Sequence, residues 1–168
     1  VDQWVRQRRQ GHWFERYKDV YLAIEHGAQF VQQLELTQLE MDSLLDGVRK
    51  YATTWFRLDQ RYRKFIHHVR QSGQASLLQA LSQQVENLYT NNYLSRLNVR
   101  WQQFVDACQR WEAAPVIGQA QFFARFVRPY LERKNKVCVL ISDAFRYEVG
   151  EELQSLIRRE DRFEAELV

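Results

Sequence analysis

The chain has 168 residues, of which 45% are hydrophobic and 14% aromatic, and its formal net charge is +3. This apolar content excludes an intrinsically disordered segment, and the length suffices for one sound core and a small second one. Apolar runs stay well short of the ~20 residues that span a bilayer, so we expect no membrane association. The charge is uneven: residues 137–168 carry −4 and residues 1–136 therefore +7, which indicates different partners for the two parts.

A first amphipathic helix is predicted over residues 12–36. Apolar side chains recur there at alternating steps of three and four, which is the spacing of one helical face. Gly27 takes the place of an apolar residue in this series, which indicates a bend or a close helix crossing. The apolar face consists of Trp13, Tyr17, Val20, Ile24, Val31 and Leu34.

A second, more regular helix is predicted over residues 38–71. The sequence of residues 37–40 has the form of a capping box that would start this helix, and Ser72-Gly73 would end it. Its apolar residues recur with a period of 3.5, which favours antiparallel, coiled-coil-like packing against the first helix in a long α-hairpin. The apolar face consists of Leu44, Val48, Tyr51, Trp55, Leu58, Tyr62, Phe65 and Val69.

Two further apolar stripes are out of phase across the Tyr-Thr-Asn-Asn of residues 89–92. We expect a kink or short break there, because Asn and Thr compete with the helical backbone for hydrogen bonds. A capping box is predicted at residues 76–79, and a last helix from Gln119 to Glu132, which Pro129 would bend or shorten. The stripes are Leu78, Leu81, Val85 and Leu88, then Leu94, Leu97, Trp101, Phe104, Cys108 and Trp111.

A buried strand is predicted at Val137–Ile141, five apolar residues that are mostly β-branched. A helix is predicted next, over roughly Ala144–Arg159, and a second strand at Phe163–Val168. A right-handed crossover would make the two strands parallel. This order would place Asp143 at the carboxyl edge of a sheet, where α/β proteins bind ligands and metals. The plainer alternative is that Asp143 only caps the following helix.

Neither the two cysteines nor the consecutive pair of histidines has the sequence spacing of metal ligands. Cys108 and Cys138 fall within apolar patterns, so we expect buried free thiols in a reducing, cytoplasmic compartment. His67 and His68 are consecutive on the second predicted helix, so their side chains diverge. Surface or core histidines are the preferred interpretation, and no metal is assigned to them.

A basic cluster occupies the polar faces of the second predicted helix. A solvated helix face is the ordinary interpretation of such charges, and contact with a nucleic-acid phosphate backbone is the alternative. The cluster consists of Arg57, Arg61, Arg63, Lys64 and Arg70.

The segment Val139–Glu148, Val-Leu-Ile-Ser-Asp-Ala-Phe-Arg-Tyr-Glu, closely resembles the signature of the PglZ family. These are large bacterial proteins of phage-resistance (BREX) systems, assigned to the alkaline phosphatase superfamily. In that superfamily an Asp just after a core strand is a ligand of the catalytic metals, and the matching position here is Asp143. Arg146 to Glu148 resembles the family's own extension of this motif. A looser similarity to the family's helical region involves Tyr51, Leu58-Asp59 and Tyr62-Arg63.

The predicted fold is therefore mainly α. A long antiparallel helical bundle would occupy residues 1–135. Residues 136–168 would form the first strand–helix–strand unit of an α/β alkaline-phosphatase-like domain. Since the chain begins without an initiator Met and ends within the second predicted strand, we expect an internal fragment.

The resemblance implies that the parent protein is a metal-dependent phosphatase or phosphodiesterase-like hydrolase using Zn²⁺, Mg²⁺ or Mn²⁺. Asp143 would bind the metal, and Arg146 would contact a phosphate oxygen or pair with a neighbouring acid. We expect the fragment itself to be inactive and without metal, because no nucleophile or further ligand is identified in it. Implied partners are other BREX proteins, such as a methyltransferase, and DNA through the basic helical region. The alternative function is a helical scaffold that binds a protein or DNA beside an inactive phosphatase-like fold.

Overall fold

The computed structural model describes residues 1–110 and 113–167, and this part of the chain is mainly helical, as predicted. None of its helices is long and apolar enough to cross a bilayer. Between the α-helices lie three π-helical segments, Tyr51–Trp55, Leu88–Ser95 and Phe123–Val127, and a 3₁₀ turn at Gln119–Gln121. The α-helices are α1 (Asp2–Arg8), α2 (Phe14–Leu36), α3 (Leu44–Lys50), α4 (Phe56–Gln71), α5 (Ala75–Asn87), α6 (Arg96–Ala107), α7 (Arg128–Glu132) and α8 (Tyr147–Arg159).

Helices α2 and α4 form the antiparallel hairpin that the apolar spacing predicts. Near the end of α4, His68 Nδ1 lies 2.7 Å from the Asp19 carboxylate, which is near the start of α2. At the opposite end, the Trp55 indole N–H donates to the carbonyl of Gln38, just beyond α2 (3.0 Å). The interface between them is the centre of the main core, which α5 and α6 complete.

Gly27 marks a close crossing of α2 and α4. A Cβ at this position would lie 3.2 Å from two ring carbons of Phe65, which is fully buried. The missing side chain lets the Phe65 ring pack directly against the α2 backbone. The interpretation of Gly27 as a crossing point is therefore confirmed.

The predicted apolar face of α2 is wrong at its start. Trp13 is 56% exposed, and Tyr17 has torsion angles outside the helical range (φ −117°, ψ 22°). This kink shifts the helical register, so that Phe14 is buried and Trp13 is not. From Val20 onward the face packs on the core as predicted.

The second predicted helix begins later than residue 38. Helix α3 starts at Leu44, and the Ser43 hydroxyl caps it by accepting a hydrogen bond from the Asp46 amide (3.1 Å). The predicted capping box at residues 37–40 is wrong, because this stretch is not helical and buries Leu39 in the core. Beyond it, Gly73 follows the end of α4 with a φ of +62°, a left-handed conformation that favours glycine.

The two out-of-phase stripes belong to one continuous helical rod. The π-helical Leu88–Ser95 joins α5 to α6, so of the predicted kink or short break the break is wrong, and the irregularity at this place is a π-helical segment. A π-helical segment holds extra residues per turn, which rotates the following helix about its axis. Both stripes therefore reach the same core, with Val85 on one side of the segment and Trp101 on the other. Trp111 lies outside the described residues.

Two boundary predictions in this region need correction. Helix α5 begins at Ala75 without a side-chain cap, so the predicted capping box at residues 76–79 is wrong. Residues 119–132 are helical as predicted, but in three short pieces, with Pro129 in the first turn of α7, where its missing N–H costs little. Cys108, predicted to be a buried thiol, is half-buried at the end of α6.

The predicted strand–helix–strand unit is absent from the described residues, and this part of the fold prediction is wrong. A buried parallel strand needs neighbouring strands for its hydrogen bonds and cover on both faces. Leu140 and Ile141 are instead 92% and 89% exposed, and the Cys138 thiol is exposed rather than buried. The helix that follows begins at Tyr147, three residues later than Ala144.

We expect the stability of the fold to fall as the pH drops from about 6.5 to about 4. Burial, and then the positive charges of Arg61, His68 and Lys64, lowers the pKa of His26 from 6.5 to about 4. In that window the unfolded chain binds a proton that the folded chain excludes, so acid favours unfolding. Urea titrations of wild type and His26→Gln at pH 7 and pH 5 measure this effect. His26→Gln should reduce the difference in the free energy of unfolding between pH 7 and pH 5. His12→Gln, at an exposed site, should leave that difference as in wild type. An unchanged difference in His26→Gln would contradict this account.

Candidate functional site

Asp143 lies in an exposed turn directly before α8. The N-cap residue of α8 is Arg146, which makes no side-chain capping bond. Asp143 therefore does not cap the helix, and the plainer interpretation of this residue is wrong. In the part of the chain that the structure describes, its carboxylate makes no hydrogen bond or ion pair and is open to solvent.

Arg146 contacts two carboxylates. Its Nη2 lies 3.5 Å from Asp59 Oδ1 on α4, and its Nε lies 3.1 Å from Glu148 Oε1. Burial opposes its charge, but a hydrogen bond to Tyr89 and the two carboxylates together raise the pKa of Arg146 above its ordinary value. Arg146 thus pairs with neighbouring acids, which was one of its two predicted roles. Its contact with a phosphate oxygen stays a prediction.

Asp59 is the centre of a buried polar cluster in the helical region. It is 5% exposed, and its Oδ2 accepts hydrogen bonds from the hydroxyls of Tyr51 (2.7 Å) and Tyr93 (3.4 Å). Its Oδ1 accepts a hydrogen bond from the Tyr89 hydroxyl (2.9 Å). We call the following residues the Asp59 cluster: Asp59, Tyr51, Tyr89, Tyr93, Arg146 and Glu148.

Two π-helical segments supply the three tyrosines. Tyr51 begins the first segment, and Tyr89 and Tyr93 lie in the second. Single π-helical turns are frequent at functional sites, and here they aim three side chains at one carboxylate. Burial, and then the charge of Asp59, raises the pKa of each tyrosine hydroxyl. All three therefore remain protonated hydrogen-bond donors at neutral pH.

Glu148 lies in the first turn of α8 and is fully buried. The Arg63 Nε lies 3.9 Å from its Oε1, the same oxygen that the Arg146 Nε approaches to 3.1 Å. Within residues 1–110 and 113–167, neither carboxylate oxygen has a hydrogen-bond donor of good geometry. The buried charge is thus balanced by two arginines, and removing either of them would leave it poorly compensated.

Glu152, one helical turn beyond Glu148, binds two residues of the predicted basic cluster. It accepts a hydrogen bond from Arg63 Nη2 and lies 2.6 Å from Lys64 Nζ. Burial opposes its charge, but these bonds lower the pKa of Glu152. Two of the five predicted nucleic-acid contacts are therefore paired with an acid of α8. Of the others, Arg57 and Arg70 are exposed and Arg61 is half-buried.

Tyr147 completes the contact between α8 and the helical region. Its hydroxyl donates to the carbonyl of Ala52 (3.1 Å), inside the first π-helical segment. Its ring packs edge-on against Tyr51 and Phe56, with centroid distances of 5.8 Å and 5.6 Å. Three consecutive residues, Arg146 to Glu148, therefore hold the start of α8 against α4 and the π-helical turn before it.

Comparison with known proteins agrees with the motif. Residues 122–168 match a family model described as the BREX system PglZ alkaline phosphatase-like domain. The chain is 32% identical to "Alkaline phosphatase-like protein PglZ" of Bacillus cereus and 34% identical to "Alkaline phosphatase-like protein BrxZ" of Escherichia coli, in each case over 96% of its length. The resemblance to the PglZ family is confirmed. The chain spans 19% and 20% of the lengths of these two relatives, and no solved structure matches it significantly.

The PglZ-type segment does not form a complete metal site from the described residues. No group of three or more His, Cys, Asp or Glu side chains in residues 1–110 and 113–167 could hold an ion. Catalytic metals commonly need about three protein ligands. Asp143 is one accessible oxygen ligand of the type that suits a hard divalent cation. A metal at this place would therefore require ligands beyond the described residues.

Sequence reasoning missed the Asp59 cluster, although Tyr51 and Asp59 were part of the similarity to the PglZ helical region. A usable signal was present, since Asp59 is the next residue after Leu58, which belongs to the most regular apolar stripe of the chain. An acid beside a core position must be hydrogen-bonded or paired if it is buried. Its partners Tyr89 and Tyr93 were hidden because residues 89–92 were interpreted as an interruption of the helix.

Proposed function

We propose that this chain joins the helical region to the phosphatase-like domain of a metal-dependent hydrolase of a BREX system, and that Asp143 is a ligand of its metal. The match of residues 122–168 to the PglZ family model and the names of the curated relatives support the assignment. The observation that carries the role of Asp143 is its free, exposed carboxylate in a turn whose next residues are firmly anchored. Substrates would be phosphate esters or phosphodiesters.

In this proposal the chain's own residues bind and orient. Asp143 supplies one carboxylate oxygen to Zn²⁺, Mg²⁺ or Mn²⁺, and Arg146 to Glu148 hold the turn that carries it. The metal, when bound, would stabilise negative charge on the phosphoryl oxygens. Other BREX proteins, such as a methyltransferase, are the proposed partners. DNA contact through the helical region would depend mainly on Arg57 and Arg70, the two exposed members of the basic cluster.

Replacing Asp143 with Asn in the full-length protein tests this function. Asn has the same size without the charge, and Asp143 does not cap α8, so the stability should hardly change. Bound metal, measured by mass spectrometry, and hydrolysis of bis-p-nitrophenyl phosphate should each fall by about 100-fold or more, since even indirect partners of metal ligands are worth ~10–100-fold. The matched control is Asp42→Asn at another exposed aspartate, which should retain both.

Full retention of metal and hydrolysis by Asp143→Asn would refute the metal-ligand assignment. A wild-type full-length protein that binds no divalent metal and hydrolyses no phosphate ester would instead favour the alternative function. In that case the helical region would be a scaffold for a protein or DNA beside an inactive phosphatase-like fold.

A further inference from the structure

We infer that Arg146, Tyr147 and Glu148 are positioning residues, and that the helical region holds a prebuilt receptor for them that fixes the Asp143 turn in place. We call Arg146–Glu148 the docking segment. Its effect on a metal rests on the proposed function, whereas the attachment itself rests only on the contacts described above.

The receptor is built entirely from residues of the helical region. Asp59 and the three tyrosine donors all belong to the helical region, between Tyr51 and Tyr93. The tyrosines hold the carboxylate in one orientation and leave its Oδ1 within 3.5 Å of the incoming Arg146 guanidinium. Because three hydroxyls already fix the Asp59 carboxylate, this side chain loses little conformational entropy when it pairs with Arg146.

The attachment has three separate points on consecutive residues. Arg146 reaches Asp59, the Tyr147 hydroxyl reaches the carbonyl of Ala52 (3.1 Å), and the Glu148 carboxylate lies beside Arg63. The three contacts lie along one helical stretch, from Ala52 to Arg63, and together restrict where the first turn of α8 can lie. An ion pair that only stabilised the fold would require only one of these three contacts.

The attachment does not rest on the exposed apolar residues of α8. Leu153 and Leu156, two of its apolar residues, are 44% and 51% exposed. The junction instead combines the polar contacts of the docking segment, the packing of the Tyr147 ring on Tyr51 and Phe56, and the contacts of Glu152 one turn later. An interface of this kind depends on each charge, because a buried ion that loses its partner is strongly unfavourable.

The geometry of the chain links this junction to Asp143. Only two residues separate Asp143 from Arg146, and consecutive Cα atoms lie about 3.8 Å apart, so the two Cα atoms cannot be more than about 11 Å apart. Fixing Arg146 therefore restricts where the Asp143 carboxylate can lie. The helical region would thus determine the geometry of a ligand that belongs to the phosphatase-like segment.

Backbone amide hydrogen exchange and Mn²⁺ titration of the full-length protein test this inference together. Arg146→Gln and Glu148→Gln should each raise the exchange rates of the α8 amides at least ~10-fold, as expected when a docked element opens locally. They should also weaken Mn²⁺ binding ~10–100-fold, the range seen when groups that orient metal ligands are removed. Arg159→Gln, which makes the same change elsewhere on α8, is the matched control and should do neither.

The amides of α2 and α5 provide an internal reference for global folding and should exchange as in wild type. Unchanged α8 exchange in both Arg146→Gln and Glu148→Gln would overturn the attachment. Faster α8 exchange with unaltered Mn²⁺ affinity would overturn the positioning role. The proposed function fails separately, if Asp143→Asn binds Mn²⁺ as wild type does while α8 remains protected.

Discussion

Asp59→Ala should lower the free energy of unfolding of this chain by about 3–5 kcal/mol, the range for removing one partner of a buried polar or ionic group. The loss has a specific origin. Tyr93 is 1% exposed and Tyr89 8% exposed, so water cannot readily replace the lost acceptor for their hydroxyls. Each buried donor left without a partner costs about 1–3 kcal/mol. Denaturation by urea, followed by circular dichroism, measures the change.

Tyr93→Phe is the control for this prediction. It removes the longest of the three hydrogen bonds to Asp59 (3.4 Å) and a 3.5 Å contact with the Trp55 carbonyl, and leaves Asp59 with the two shorter bonds. Because Asp59 keeps two hydroxyl donors, the cost should be only about 1 kcal/mol. An Asp59→Ala variant no less stable than Tyr93→Phe would show that the tyrosine hydroxyls find other acceptors and that the cluster is not needed for folding.

Trp55→Ala should also cost about 3–5 kcal/mol, as expected for removing a large aromatic side chain from a core. Trp55 is 1% exposed, ends the first π-helical segment, and donates its indole N–H to the Gln38 carbonyl. The substitution would open a cavity at the end of the hairpin where Gln38 lies and leave the Gln38 carbonyl without its donor. The midpoint of urea denaturation should fall accordingly, with little change in its slope.

Trp13→Ala provides the matched comparison for Trp55→Ala. The same side chain is removed, but Trp13 is 56% exposed at the start of α2. Its loss should cost less than about 1 kcal/mol, as for surface substitutions in general. Equal effects at the two positions would mean that the apolar stripe of the second helix does not carry the stability of the fold.

The helical hairpin could be predicted from the sequence because its cause is periodic and local. Leu58, Phe65 and their neighbours repeat every 3.5 residues, and this spacing alone defines a face that must be buried. The close helix crossing at Gly27 was predictable for the same reason, because this glycine takes the place of an apolar residue in a regular series. The kink at Tyr17 was not predictable, because nothing in the residue types around it interrupts the apolar pattern.

The errors at the C-terminal end have a different cause. Val137–Ile141 has the composition of a buried strand, but a strand is stabilised by partners that its own sequence does not encode. The candidate site was predictable only in part for a similar reason. The signature identified Asp143, whereas the partners of Arg146 and Glu148 are Asp59 and Arg63, which lie 87 and 85 residues earlier in the chain. Contacts over such a separation leave no periodic signal.

The π-helical segment at Leu88–Ser95 restricts how the length of this chain can vary. Each residue of an α-helix advances the side chains by about 100° around the axis, so one deletion within this segment would rotate all of α6 relative to α5. Trp101 would then leave the core, and Tyr93 would no longer face Asp59. A single insertion or deletion here should therefore be far more harmful than most substitutions, although several side chains in the segment are exposed.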